Sequence, residues 1–259
     1  MNTIYLVQQF GLNGRTALVT GSARGIGLSI ATALGHAGAR VVINDLQAAA
    51  CEEAVESLHS LGITARAAPF DVSDFAAVQE AGQLLVTAGW PIDTLVSNAG
   101  NQNRKALIEM SREEWQKIQD VHVGGAFNCV RVFLPGMHSR GFGRVVFTSS
   151  VSAVSTMPLI GAYSTAKASL SALARAVAVE YGSAGVTANA IAPGFVKTEF
   201  TSGLQQREGF ELFLRQEVPQ NRWAVPLDIA PVVLFLVSPA AGYVNGQTLA
   251  IDGGLLAQM

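Results

Sequence analysis

Only two cysteines occur in the 259 residues, Cys51 and Cys129, both in helix-like segments without metal-ligand spacing. Their scarcity argues against a disulfide framework and a zinc site, and it fits a reducing compartment. No apolar run reaches the roughly 18 residues that a bilayer-spanning helix needs. The opening MNTIYLVQQF has no basic residue ahead of its apolar part, so neither an anchor nor a secretory leader is expected. Basic charge is not in excess either: 17 Lys and Arg stand against 19 Asp and Glu, giving a formal net charge of −2. These charges are scattered and leave no electrostatic footprint for nucleic acid or a membrane surface. Linkers, internal repeats and low-complexity stretches are lacking. With 49% hydrophobic and 14% charged residues, the chain reads as one large-core domain over residues 1–259, cytoplasmic, with a small molecule as its partner.

What is present is an alternation of short β-rich runs and longer helical patterns. RTALVTG, ARVVIND, TARAAPF, IDTLVSN, RVVFTSS, VTANAIAP and QTLAID read as strands. Helices are expected at GIGLSIATALGHAG and QAAACEEAVESLHSLG, over residues 75–88, over 112–138 as one long segment, and over 161–182. The strands are continuous Val, Ile, Leu and Ala runs without strict alternation, as required of a parallel sheet covered on both faces. The expected fold is therefore a single-domain, Rossmann-like, doubly wound α/β sheet of about seven strands. The least regular part, from Phe195 to Pro226, is rich in aromatic and charged residues and is the natural candidate for a substrate-covering insertion.

Two patterns carry chemistry. The first strand-to-helix turn, TGSARGIG, places Gly21, Gly25 and Gly27 where a backbone can approach a pyrophosphate facing a helix N-terminus. The second strand ends in Asn44 and Asp45, and an acid there can accept hydrogen bonds from an adenosine ribose diol. Further on, Tyr163 and Lys167 are four residues apart on a helix and so share a face. A neighbouring cation favours phenolate over phenol and lowers the tyrosine pKa. Ser150, at the end of RVVFTSS, adds a hydroxyl. A serine, a tyrosine and a lysine converging on a carbonyl imply proton transfer coupled to a second event.

TGSARGIG, Asp71 in DVSD, Asn98 in SNAG, Ser150 ahead of YSTAK, and Pro193 with Gly194, in this order and spacing, resemble the classical short-chain dehydrogenase/reductases from about Leu12 to Gly254. The resemblance implies a nicotinamide cofactor and hydride transfer between it and a carbonyl or alcohol carbon. It implies Tyr163 as general acid/base, Lys167 as the group that lowers its pKa and holds the nicotinamide ribose, and Ser150 as the group polarising the carbonyl. Cofactor contacts are implied for Ser22, Arg24 and Ile26 in the glycine turn, Leu46 beside Asp45, and Asp71 with Val72 at the adenine. Asn98, Ala99 and Gly100 would lie along the cofactor and Thr198 by the carboxamide, with Pro193, Gly194 and Val196 as further cofactor contacts. A homotetramer is the association typical of such proteins.

The family pattern VNxxGxF is replaced here by VHVGGAF, with His122 for the asparagine that holds a water in the proton relay. Either the imidazole serves a pH-sensitive relay, or it packs and is satisfied by a main-chain carbonyl. NAGNQNRKALIEMSREEWQKI, APFDVSD, KTEFTSGL and VPQNRW resemble the gluconate 5-dehydrogenases, also called 5-keto-D-gluconate reductases. That likeness implies a sugar acid such as gluconate or 5-ketogluconate, with Arg104 on its carboxylate and Gln102 on its hydroxyls. Asn101 and Asn103 depart from that pattern. A 3-oxoacyl carrier-protein reductase, a sugar 1-dehydrogenase and a catalytically silent binding subunit are the alternatives. Both NAD and NADP are open as cofactor. Asp45 leans the reading to NAD through repulsion of a 2′-phosphate, and Arg24 argues for NADP.

Overall fold

The apolar runs form seven parallel strands in a computed structural model that describes residues 3–258. Met1, Asn2 and Met259, part of the expected 1–259 domain, lie outside the described residues. The strands are β1 (Thr16–Val19), β2 (Arg40–Ile43), β3 (Ala65–Ala67), β4 (Thr94–Ser97), β5 (Gly143–Thr148), β6 (Val186–Pro193) and β7 (Thr248–Ile251). Their order across the sheet is β3-β2-β1-β4-β5-β6-β7. Every residue of β1, β4, β5 and β6 is buried, which explains why these strands read as unbroken apolar runs. The edge strand β7 is half exposed.

The helices are α1 (Thr3–Phe10), α2 (Gly25–His36), α3 (Ala48–Ser60), α4 (Phe75–Thr87), α5 (Arg112–Gln119), α6 (Gly125–Ser139), α7 (Gly161–Tyr181), α8 (Ser202–Gln205), α9 (Phe210–Glu217) and α10 (Pro226–Val237). One face of the sheet is covered by α2, α3 and α10 through Ile30, Leu34, Cys51, Leu58, Ile229 and Val233. The other is covered by α4, α6 and α7 through Val78, Cys129, Phe133, Met137, Leu170 and Val177. Each fully buried Leu, Ile or Phe among them contributes about 1.5–3 kcal/mol by leaving water. Cys51 and Cys129 are both buried packing residues.

Three features depart from expectation. The segment expected as one helix over 112–138 is interrupted by a π-helical turn at Asp120–Gly124. Helix α10 was not anticipated: PLDIAPVVLFLV is apolar on all sides and contains Pro226 and Pro231, so no amphipathic stripe marks it, yet Pro226 occupies the first turn, where its missing N–H is harmless. The short α1, with Ile4, Tyr5 and Val7 exposed, also lacks a sequence signal. Sheet order reverses between β1 and β4. The carboxyl ends of these strands leave a crevice there, at the switch point where ligands of such sheets bind. Among the described residues no helix is long and apolar enough to cross a membrane.

Candidate active site

A cleft of about 1070 Å³ opens at that switch point, walled by residues that follow β1, β2, β4, β5 and β6. Its floor on one side is the turn Gly21–Gly27. Gly25 adopts φ +61°, a left-handed conformation that a side chain disfavours. A Cβ on Gly27 would lie 2.8 Å from both the Ser22 Cα and the Asn98 Nδ2, besides striking the Gly21 carbonyl oxygen. Asn98 fixes the turn, donating from Nδ2 to the Thr20 and Gly21 carbonyls at 3.0 and 3.1 Å. The first amides of α2 receive no side-chain cap from Arg24. By contrast, α4 is capped by Asp74 and α5 by a Ser111–Glu114 capping box. An uncapped helix N-terminus facing a cleft, with glycines thinning the backbone over it, fits a pyrophosphate.

Of the expected cofactor contacts, Gly21, Arg24, Gly25, Ile26, Gly27, Asp45, Leu46, Asp71, Val72, Asn98, Ala99, Gly100, Pro193, Gly194, Val196 and Thr198 all line the cleft. Ser22 is the exception. Its side chain is fully buried, and its hydroxyl donates to the Val19 carbonyl at 2.6 Å and accepts from the Asn44 N–H at 3.1 Å. It ties β1 to the end of β2 and points away from the cleft. Asn44, which the sequence marked only as the neighbour of Asp45, holds β2 to the next crossover by donating to the Ala68 and Phe70 carbonyls.

Across the cleft, β5 ends at Thr148 and delivers Ser149 and Ser150, while the first two turns of α7 deliver Tyr163 and Lys167. The Ser150 hydroxyl accepts from the Ser152 N–H at 3.1 Å, and its side chain is near enough to the Tyr163 phenol to favour the ionised form. Lys167 is buried. Its Nζ donates to the Thr148 carbonyl at 2.6 Å and lies 5.5 Å from the centre of the Tyr163 ring. Burial without a carboxylate partner pushes the Lys167 ammonium down to about 7. The tyrosine does not follow the expectation that its pKa is lowered: burial pushes it up to about 12, opposed by the Ser150 side chain and by the positive charge of Arg104. Near neutrality the phenol therefore holds its proton and is a donor.

His122 comes from the π-helical turn and meets the Tyr163 ring edge-on at 5.4 Å. Its Nε2 contacts the Asn101 carbonyl at 2.8 Å, and Nδ1 has no hydrogen-bond partner. Burial, with Lys167 as the second cause, pushes the imidazole down to about 3. The ring is neutral throughout the physiological range, so a relay made pH-sensitive by His122 is not what this environment supports. It fits because Gly100 has no side chain: a Cβ there would lie 3.0 Å from Nδ1 and strike Cε1. The Thr148 hydroxyl and the Asn101 side-chain oxygen are likewise buried beside the cleft without a protein hydrogen-bond partner.

The two expected substrate residues stand off from the cleft wall. Gln102 is exposed, and its amide donates to the Phe200 carbonyl at 2.6 Å, so this donor faces the Phe195–Pro226 segment and not a ligand. Arg104 is exposed on the loop after β4, where partial burial and the nearby Arg207 lower its pKa. The segment itself folds over the end of the sheet. Phe195, Phe210, Phe213 and Trp223 pack mutually, and the Phe200 ring lies 6.2 Å from Tyr163. Glu199 lines the cleft and forms an ion pair with Arg24 at 3.0 Å. Neither this pair nor the Gln102 contact has a sequence signal, because each joins residues that are far apart in the chain. Among the described residues, no cluster of three or more His, Cys, Asp or Glu is placed to hold a metal ion.

Comparison with known proteins agrees with this architecture. A family model described as enoyl-(acyl carrier protein) reductase matches residues 21–256. The chain is 37% identical over 247 residues to the 5-keto-D-gluconate 5-reductase of Escherichia coli, covering 95% of this chain and 97% of that one. It is 34% identical to a 3-oxoacyl-[acyl-carrier-protein] reductase of Synechocystis, covering 95% and 98%. Among solved structures, a gluconate 5-dehydrogenase from Burkholderia cenocepacia in complex with NADP and tartrate superposes with a TM-score of 0.94 at 34% identity, covering 97% of this chain and 99% of that one.

Proposed function

This chain belongs to the short-chain dehydrogenase/reductase family, NAD(P)-dependent oxidoreductases acting on CH–OH groups, and from that premise we propose that it interconverts a sugar acid and its keto form, gluconate and 5-ketogluconate being the pair in view. The observation that carries the reading is the convergence of Ser150, Tyr163 and Lys167 on one wall of the cleft. When bound, the nicotinamide supplies or takes the hydride. The glycine turn and the uncapped start of α2 would hold its pyrophosphate, Asp45 the adenosine ribose, Asp71 and Val72 the adenine, and Lys167 the nicotinamide ribose. Asp45 supports NAD, by repelling a 2′-phosphate.

In the reductive direction the substrate carbonyl oxygen meets the Ser150 hydroxyl, which polarises it, and receives the Tyr163 proton. A phenol pushed up to about 12 retains that proton at neutral pH. Lys167 supplies positive charge near the phenolate left behind and, with a pKa of about 7, loses that charge as pH rises above neutrality. His122, neutral and edge-on to the tyrosine ring, holds the phenol in place. Arg104, though off the cleft wall, is near enough for its charge to act on Tyr163 and is the cation that would reach over the mouth to a sugar-acid carboxylate by a charge-assisted hydrogen bond, and the Phe195–Pro226 segment covers the substrate.

Assays of 5-ketogluconate reduction and gluconate oxidation with both coenzymes test this reading. Turnover is expected with wild type and about 10²–10⁴-fold less with Tyr163→Phe, at unchanged coenzyme affinity. Absence of turnover in either direction overturns the substrate assignment. A second reading, a 3-oxoacyl carrier-protein reductase, is favoured by the apolar stretch between Ser150 and Tyr163, where Val154 and Leu159 are exposed. A 3-oxoacyl thioester in the same assay separates the two.

A further inference from the structure

The Arg24–Glu199 pair belongs to the coenzyme side of the cleft by position and to the covering segment by chain. Arg24 immediately precedes α2 and extends from the glycine turn. Glu199 follows Thr198, whose methyl Cγ2 lies within 3.8 Å of where a Cβ on Gly25 would sit. Both side chains line the cleft that Asp45 also lines, and their charged groups meet at 3.0 Å while remaining about 70% exposed (73% and 72%). Arg24 is the cation of the glycine turn, and the only ion-pair partner it has among the described residues is this carboxylate.

We propose that Glu199 is a coenzyme-selectivity residue: it occupies the Arg24 guanidinium and so penalises a 2′-phosphorylated dinucleotide relative to an unphosphorylated one. The inference rests on the NAD(P) cleft of the preceding section and assigns selectivity to a residue outside the two positions, Arg24 and Asp45, at which the sequence suggested it. A 2′-phosphate held by Arg24 must displace Glu199 from the guanidinium, in a cleft that the Asp45 carboxylate also lines. A ribose diol faces no such competition and leaves the pair intact across the turn. An exposed pair of this kind is weak and screened by salt, so the preference it imposes is modest and largest at low ionic strength.

The test is equilibrium binding of NADH and NADPH, read by ligand fluorescence or calorimetry at low and high salt, on wild type, Glu199→Gln, Arg24→Gln and the double variant. Glu199→Gln is expected to tighten NADPH on the order of fivefold relative to NADH, the scale of one exposed ion pair, with the shift shrinking in high salt. In the Arg24→Gln background the same substitution should move the ratio by less, since the guanidinium through which it acts is gone. If both coenzymes bind and Glu199→Gln leaves their ratio unchanged, or weakens both alike, the proposal is overturned and the pair is only a strap. If wild type binds neither coenzyme, the reading of the cleft itself fails. 2′-Phospho-AMP and AMP serve as minimal probes of the same contrast.

Discussion

On the coenzyme side of the cleft the wall is mostly main chain: a glycine turn, the amides of α2 and an Asn98 side chain engaged with carbonyls. On the substrate side it is side chains, several of them exposed, contributed by the loop after β4 and by a segment that arrives about a hundred residues later. A wall of main chain tolerates little change, because each position is fixed by backbone geometry and close approach. A wall of exposed side chains can be altered residue by residue while the fold stays the same. The family resemblance therefore speaks strongly for the nicotinamide chemistry and weakly for the substrate.

The sharpest way to break this contrast is to add one carbon to the main-chain wall. Gly27→Ala puts a methyl group against the Gly21 carbonyl, Ser22 and Asn98, and should cost roughly 3 kcal/mol, about a hundredfold in coenzyme Kd. A variant that binds NADH as wild type does would show that the turn is more pliable than its contacts imply. His122, on the border between the halves, gives a pH test. Its folded pKa of about 3 lies below the ordinary value of 6.5, so the unfolded state binds the extra proton, and stability is lost as pH falls below about 6.5. His122→Asn should remove about 2 kcal/mol of that loss at pH 5, read as a flatter fall of Tm with acid, while the acid limb of kcat/KM stays put. A limb that moves would return the imidazole to the proton relay. The smallest of the three effects belongs to the substrate wall: Arg104→Ala should raise KM for a sugar acid about tenfold and leave coenzyme Kd untouched. A change in both constants would mean that Arg104 serves the coenzyme half as well.

Legibility followed the same division. That the glycines and Asn98 line the cleft was readable because the turn's backbone dictates residue type there, and Asp45 because it ends the second strand. Tyr163 and Lys167 were readable because helical spacing dictates adjacency. Ser22 does not line the cleft, and the sequence could not say so: a serine in a phosphate-type turn looks the same whether its hydroxyl points out or, as here, inward to Val19. The direction of the Tyr163 shift was missed because spacing reveals the nearby cation but not the burial that outweighs it. Gln102 and Glu199 find partners far along the chain, a matter of tertiary assembly. Helix α10 escaped notice because apolar residues also occupy its outer face, Leu227 among them, so no amphipathic stripe marks the face that is buried.

The π-helical turn at Asp120–Gly124 has a consequence of phase. Before it, Trp115 and Ile118 face Ala162 and Ala166 of α7, and after it, Ala126, Cys129 and Phe133 face the sheet. One rod thereby serves two surfaces that an uninterrupted 3.6-residue winding would not bring into step. The extra residue acts as a phase slip between two hydrophobic stripes, and His122 lies inside the slip. Removing a single residue from it would rewind the rod by about 100°, which would carry the imidazole away from Tyr163 and set every later apolar position out of step with the sheet. The widened turn is thus part of how the chain aims the His122 ring at the Tyr163 phenol, a setting stored in the count of residues as much as in their identity.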